Sequence, residues 1–347
     1  MRAIIGMLFL FLLGGCKENI KTTAKAAATV SNTVRFVQNE EEQKVAVYFG
    51  DSFFTYYQYS TTQTKPVLHP IQTRSGRSVT RGYPLDPLPG ERVDHPHHVG
   101  HWLNYGDVNG LDFWNHSDAI PKAEKHRYGS IHHEKLIVDK FNGSLLVTLL
   151  WKDHLGKALI KESTTFLFSE EGNHRFIDRI TSLEALTEVA LKDNKEGFFA
   201  IRVSRALEHP SDKAEIFTDV NGIPSTVTAL NNEGVTGAYL SSEGIEGKAV
   251  WGTRARWMSL RGTVDEESLS VTIFDHPKNI GYPTYWHARG YGLFAANPFG
   301  QKVFSNGEIA RNKKLQKGEI LTVKYRIMIH HGTELTLADI KKHATTF

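Results

Sequence analysis

The chain has 347 residues, with 41 lysines and arginines against 38 aspartates and glutamates, and carries a net charge of +3 with its 17 histidines neutral. No basic block concentrates that charge, so the electrostatic footprint of a nucleic-acid binder is missing and no nucleic-acid partner is expected. Neither a glycine-rich phosphate loop nor a GxGxxG turn, GxSxG elbow or HExxH helix occurs, which argues against kinases and dehydrogenases.

At the start, Met1 and Arg2 precede an apolar run over residues 4–13, and Leu13-Gly14-Gly15-Cys16 follows. A charged start, a short hydrophobic stretch and a small-residue exit make a secretory signal. The run falls short of the ~20 apolar residues that span a bilayer. The tetrapeptide resembles a bacterial lipobox, which implies a signal peptide over 1–15, a lipid on Cys16, and a tether over 16–40. Membrane contact is then through the lipid alone, at the periplasmic or surface face of the outer membrane. Cys16 is the only cysteine, so no disulfide forms within the chain and no thiol is left for metal binding or nucleophilic catalysis.

Residues 41–347 read as a single domain. Runs with period-two alternation or dense β-branched and aromatic content recur at 44–49, 53–59, 144–151, 158–168, 175–182, 198–203, 269–274 and 320–329. Turn punctuation such as Asn142-Gly143, Asn221-Gly222 and Asn306-Gly307 separates them, and helix-length amphipathic patterns are scarce. The expected fold is all-β, a large antiparallel β-sandwich with a jelly roll as alternative, because strands without crossover helices bury their apolar faces sheet on sheet. Thr336 can cap a short C-terminal helix placed over one sheet edge. Stretches 68–128 and 274–300, rich in Gly, Pro, His, Asn and aromatics, read as long functional loops.

Eight of the 17 histidines fall between His95 and His133, most densely in Asp94-His95-Pro96-His97-His98-Val99-Gly100-His101-Trp102. In an extended run His95, His97 and His101 share one face, so they could converge as ligands of a divalent metal or combine ligand and acid–base roles. The alternative is that they hydrogen-bond loop backbone and stack on Trp102 and Trp114. Asp107, Asn109 and Asp112 present oxygens at alternate positions and admit a calcium reading, against which stands a polar turn that caps backbone groups. Lys195-Glu196 places a carboxylate beside a lysine just before a strand, making Glu196 a candidate general acid or base. His132, His133 and Glu134 form a comparable group. The block from Tyr282 to Gly292 mixes Trp286, His287 and Arg289 with tyrosines, as a sugar-binding cleft requires: ring faces meet pyranose CH groups and polar neighbours meet the hydroxyls. Arg74, Arg81 and Tyr83 could hold anionic or hydroxyl groups.

Several stretches together resemble a family of exported bacterial proteins named methane oxygenase PmoA-like: Lys65 to Pro70, Thr80 to Pro84, Asp94 to Trp102, Gly106 to Trp114, Lys195 to Phe199, and Asp275 through Tyr285–Gly292 to Gly300. His-Pro-His-His followed by Gly-Asp-Val-Asn-Gly carries most of the likeness. The resemblance implies little chemistry beyond an association with glycan-degrading systems. The architecture is similar to galactose-mutarotase-like supersandwiches of carbohydrate-active proteins. The leading expectation is a glycan-acting hydrolase or lyase in which His97, His101 or His133 and Glu196 handle protons. Arg81, Trp102, Asn109, Trp286, His287 and Arg289 would hold the sugar, and a divalent metal on His95, His97 and His101 is a candidate cofactor. A non-catalytic glycan-binding lipoprotein and a metal-dependent oxygenase are the alternatives.

Overall fold

The computed structural model describes residues 34–347; the expected signal segment, the lipid site at Cys16 and most of the tether lie outside them. Two eight-stranded antiparallel sheets make up the molecule's main body. The front sheet runs, edge to edge, Val34–Asn39, Lys44–Phe49, Ser52–Gln58, Val67–Ile71, His101–Tyr105, Gly197–Arg202, Leu293–Asn297 and Tyr285–Ala288. The back sheet runs Ala238–Ser241, Trp257–Val264, Glu267–Asp275, Ile320–His331, His174–Ala185, Ala158–Glu171, Ser144–Lys152 and Ser130–Asp139. This is the large all-β sandwich expected, with about twice the strands of a jelly roll. No helix among the described residues is long and apolar enough to cross a membrane.

Alternation along each strand builds the core. Leu103, Tyr105, Phe199, Ile201, Phe294 and Trp286 of the front sheet share one buried cluster with Val271, Ile273, Val323, Tyr325 and Ile327 of the back sheet. Removing that apolar surface from water, at about 25 cal/mol per Å², is the main term holding the sheets together.

Two expectations change. The stretches read as loops at 68–128 and 274–300 contain three strands of the front sheet, His101–Tyr105, Tyr285–Ala288 and Leu293–Asn297. Each is short and buried at every position, so period-two patterning is lost. The C-terminal helix Leu337–Thr345 does start at Thr336, whose hydroxyl accepts from the Asp339 N–H in a capping box. It covers a face, not an edge: Leu335 and Ile340 pack with Phe176, Trp257, Phe274 and Met328 on the outside of the back sheet.

Candidate active site

The outer face of the front sheet carries the site. Because neighbours along a strand point to opposite faces, the four strands that send Leu103, Phe199 or Ile201, Phe294 and Trp286 inward send Trp102, Ala200, Ala295 and His287 outward. These four lie in register across adjacent strands, Ala200 pairing with both Trp102 and Ala295, and Ala295 with His287. Val67, Val99, Trp114 and Leu293 join the tryptophan and the alanines in a second buried cluster.

Residues 94–99 fold down onto this face. The chain turns tightly there, with the His98 N–H donating to the His95 carbonyl at 2.9 Å and His95 at φ 41°. Gly100, at φ +55°, lets the loop rejoin the sheet where a Cβ would meet the Leu68 carbonyl oxygen at 2.2 Å. Near-parallel rings gather above the sheet: His98 on Trp102 at 5.3 Å between centroids, His95 beside His98 at 4.8 Å, and Tyr291 at 4.8 Å from His95 and 6.4 Å from His98.

Two buried arginines hold the loop. Arg81 donates to the carbonyls of Arg92, Asp94, His95 and His98 and to the Asp94 carboxylate. Arg202 donates to the same carboxylate oxygen at 2.7 Å, and its Nη1 lies 3.4 Å from His98 Nδ1. Burial opposes the charged form of Asp94, but Arg202, the His95 hydrogen bond and Arg81 prevail and hold it well below the usual carboxylate range. Burial first, then His97 and Arg202, drive His98 far below the usual imidazole range, so it stays neutral.

Beside these rings stands a proton-active group. His287 Nδ1 is 2.9 Å from the Lys195 carbonyl oxygen. A carbonyl only accepts, so Nδ1 carries the hydrogen and Nε2 the lone pair. Burial, Lys195 and Arg289 lower the His287 pKa to about 3. Glu196, 19% exposed at its side chain, has Oε2 4.0 Å from His287 Nδ1 and is ion-paired with Lys195. Gly106 makes room for Glu196, whose Cβ would stand 2.8 Å from a Cβ at that position. The guanidinium of Arg289 lies 5.4 Å from the Trp251 ring centre and 5.7 Å from that of Tyr291. A cavity of about 470 Å³ opens beside Arg289, lined by Arg289, Tyr291, Trp251, Lys248, Asp212 and Arg92; Glu196 and His287 stand next to it and do not line it.

The structure thus brings His95, Glu196, His287 and Arg289 to one side of the histidine loop, puts His97 beside Lys65 on the other and Trp102 beneath His98, and places the remaining expected residues elsewhere. His101 points between the sheets, donating to the Ala200 carbonyl from Nδ1, with Nε2 3.4 Å from Arg179. Since 95–98 is a turn and not an extended run, His95, His97 and His101 do not converge. Among the described residues no group of three His, Cys, Asp or Glu side chains is placed to hold a metal ion. His133 sits on the edge strand of the back sheet, bonded to the Tyr57 hydroxyl at 2.9 Å. Trp286 is a core residue donating to the Ala255 carbonyl, and Trp102 is fully buried beneath His98. Arg81 spends its guanidinium on the loop. Asn109 joins its own turn to the strand Val189–Leu191 through Glu188 and Ala190, while Asp107 and Asp112 accept from nearby backbone N–H groups. The polar-turn reading therefore describes that segment.

Sequence reasoning missed Arg202, Trp251 and the bridging role of Asp94, and it held Tyr291 only as one of the tyrosines of the Tyr282–Gly292 block. Arg202 had a visible signal: it is a lone cation closing the apolar strand run Phe198-Phe199-Ala200-Ile201, and such a charge needs a buried partner. Trp251 stands in a loop without any motif.

A large antiparallel β-sandwich with a histidine-rich site on one outer face is the class that fold and geometry define. The chain belongs to the family described as Family of unknown function (DUF6807), whose model matches residues 44–345. That match replaces the methane oxygenase PmoA-like resemblance: the family carries no oxygenase assignment. No curated protein matches the chain. Among solved structures it is similar to the galactosidase domain of an alpha-galactosidase-sucrose kinase, at 7% identity and TM-score 0.39, covering 86% of this chain and 41% of that one. It is similar to the GH36 alpha-galactosidase of Geobacillus stearothermophilus, at 10% identity and TM-score 0.34, covering 87% and 41%. A galactose mutarotase related enzyme from Lactobacillus acidophilus gives 9% identity and TM-score 0.29, covering 88% and 100%. The chain spans about two fifths of the length of the two galactosidases.

Proposed function

We propose that this protein is a carbohydrate-acting enzyme of the proton-transfer type, a lyase more than a hydrolase, with Glu196 as acid–base residue. The observation that carries this reading is the placement of Glu196, ion-paired with Lys195, with its Oε2 4.0 Å from Nδ1 of a neutral, tautomer-fixed His287 that Arg289 also acts on. A two-carboxylate hydrolysis needs a second free acid across the scissile bond. Three neighbouring acids are engaged, Asp94 with Arg81 and Arg202, Glu208 with Arg92 and Arg205, and Glu215 with Arg92, and among the described residues Asp212 is the cavity-lining carboxylate without a partner, so the lyase reading expects turnover to survive Asp212→Asn. One carboxylate flanked by cations suits removal of a carbon-bound proton, with the cations stabilising the charge that develops. His287 Nε2 would accept a hydrogen bond from a sugar hydroxyl, and Trp251 and Tyr291 offer apolar ring surface.

The test is incubation with a panel of neutral and acidic oligosaccharides, followed by chromatography and by the ultraviolet absorbance of new unsaturated ends. Turnover that Glu196→Gln reduces roughly hundredfold or more supports the assignment. Saturated products only, or turnover that survives Glu196→Gln, overturn it. Calorimetric binding of a glycan without any product makes the protein a glycan-binding one instead.

A further inference from the structure

On the other side of the histidine loop, away from Tyr291, lies a second cavity of about 370 Å³, lined by Lys65, His97, His116, Ser117, Tyr83 and Thr64 among others. Lys65 is buried, 5% exposed. Its ammonium donates at 2.7 Å to the His97 carbonyl and stands 5.5 Å from the centre of the Trp102 ring. An ammonium has three N–H donors, so two are unspent. Among the described residues no carboxylate forms an ion pair with it. Asp112 acts on it from further away, and that carboxylate is already accepting from the Trp114 and Asn115 N–H groups and the Asn115 amide.

The imidazoles beside it are also incomplete. His116 Nδ1 lies 2.9 Å from the Gly129 carbonyl oxygen, so Nδ1 donates and Nε2 keeps its lone pair. His116 Nε2 and His97 Nε2 are both buried without a partner. Burial lowers the pKa of both rings, and the charge of Lys65 adds to it at each. A buried cation with spare donors next to two unpartnered ring nitrogens is costly when nothing occupies the space. An anion bonded to the ammonium, on a body whose hydroxyls serve the rings, would relieve all three.

We propose that the Lys65–His97–His116 cavity is a carboxylate-binding site that takes the acid group of a uronic-acid sugar, across the histidine loop from Glu196 and His287. The sugar body in this assignment rests on the proposed function; the carboxylate contact does not. The tendency of an unpaired lysine in this setting to give up its proton, with burial lowering its pKa to about 7, is what a bound carboxylate would reverse.

Calorimetry on the whole protein tests it with four probes: galacturonate, its methyl ester, galactose and propionate. Galacturonate is expected to bind at least about tenfold tighter than the ester or galactose, the difference that one charge-assisted hydrogen bond supplies. Lys65→Met should erase that difference, and His116→Ala should weaken galacturonate binding with Lys65 intact. Circular dichroism checks that both variants fold. Equal affinity of the wild-type protein for the acid and its ester, or no binding by any probe, overturns the site. Lys65-dependent binding of propionate with no sugar binding supports the carboxylate site and breaks the carbohydrate reading.

Discussion

Two of the buried arginine–carboxylate groups in this sandwich, one between the sheets and one on the outer face, close off their surroundings to very different degrees. Between the sheets, Glu162 accepts from Arg179, Trp151 and Thr164, while Arg179 also reaches Thr181 and His101. On the outer face, Asp94 is gripped by Arg81 and Arg202, yet Nε of both arginines and Nε2 of His97 and His98 are buried without partners. Both pairs meet the cost of desolvated charge by mutual attraction. Of the two, only the inner one satisfies the donors around it, and His101 belongs to that closed network.

That contrast can be broken most forcefully by removing each arginine. Arg179→Met strands Glu162 and should cost about 3–5 kcal/mol in urea unfolding, with glycan affinity per folded molecule unchanged. Arg202→Met should cost a comparable amount and also abolish affinity, because the loop of residues 94–99 loses its anchor; equal effects on affinity from the two changes would erase the distinction. Glu196→Gln is the converse case. Its unfolding free energy should stay within about 0.5 kcal/mol of wild type while turnover falls, which separates the chemistry from the scaffold.

A gentler probe is pH. His287 and His69 titrate near 6.5 in the unfolded chain, whereas burial, aided at His287 by Lys195 and Arg289, lowers them to about 3 and about 4 when folded. Between those values the unfolded chain holds protons that the folded one refuses, so stability rises with pH through this window and is lost as pH falls from 6.5 toward 3. Urea midpoints at pH 7 and pH 5 should therefore differ, with the acid value lower, and His287→Asn should shrink the gap. The smallest effect is expected furthest from either pair: Thr336→Ala removes the helix cap and should cost about 1 kcal/mol without altering affinity or turnover.

Much of the scaffold was legible because one-sided burial writes itself as alternation. Each of the eight runs marked in the sequence coincides with an observed strand, those at 53–59 and 198–203 overrunning Ser52–Gln58 and Gly197–Arg202 by one residue. The strands His101–Tyr105 and Leu293–Asn297 were not legible, since side chains buried on both faces leave no period to read. The same blindness spread to the site. Glu196, His287 and Arg289 stood out by residue type beside a strand, but Trp102 and Trp286 look alike in sequence and lie on opposite faces of one sheet. Which face a residue takes depends on register, and register depends on pairing across long separations, such as Gly197–Arg202 with His101–Tyr105. His95, His97 and His101 failed as a set for a local reason: the tight turn at residues 95–98 ended the extended run that would have aligned them.

The two alanines between Trp102 and His287 act as a spacer with very little headroom. Ala200 and Ala295 are fully buried under the loop that carries the histidines, so their methyl groups set how low that loop can ride. A valine or leucine there would jack the rings away from the sheet, moving His95 and Tyr291 relative to His287 and Glu196 without touching any group that binds or reacts. The spacing between the loop and the sheet is thus adjustable at two positions that carry no chemistry of their own, and under the proposed function variation at them would change the size of sugar admitted.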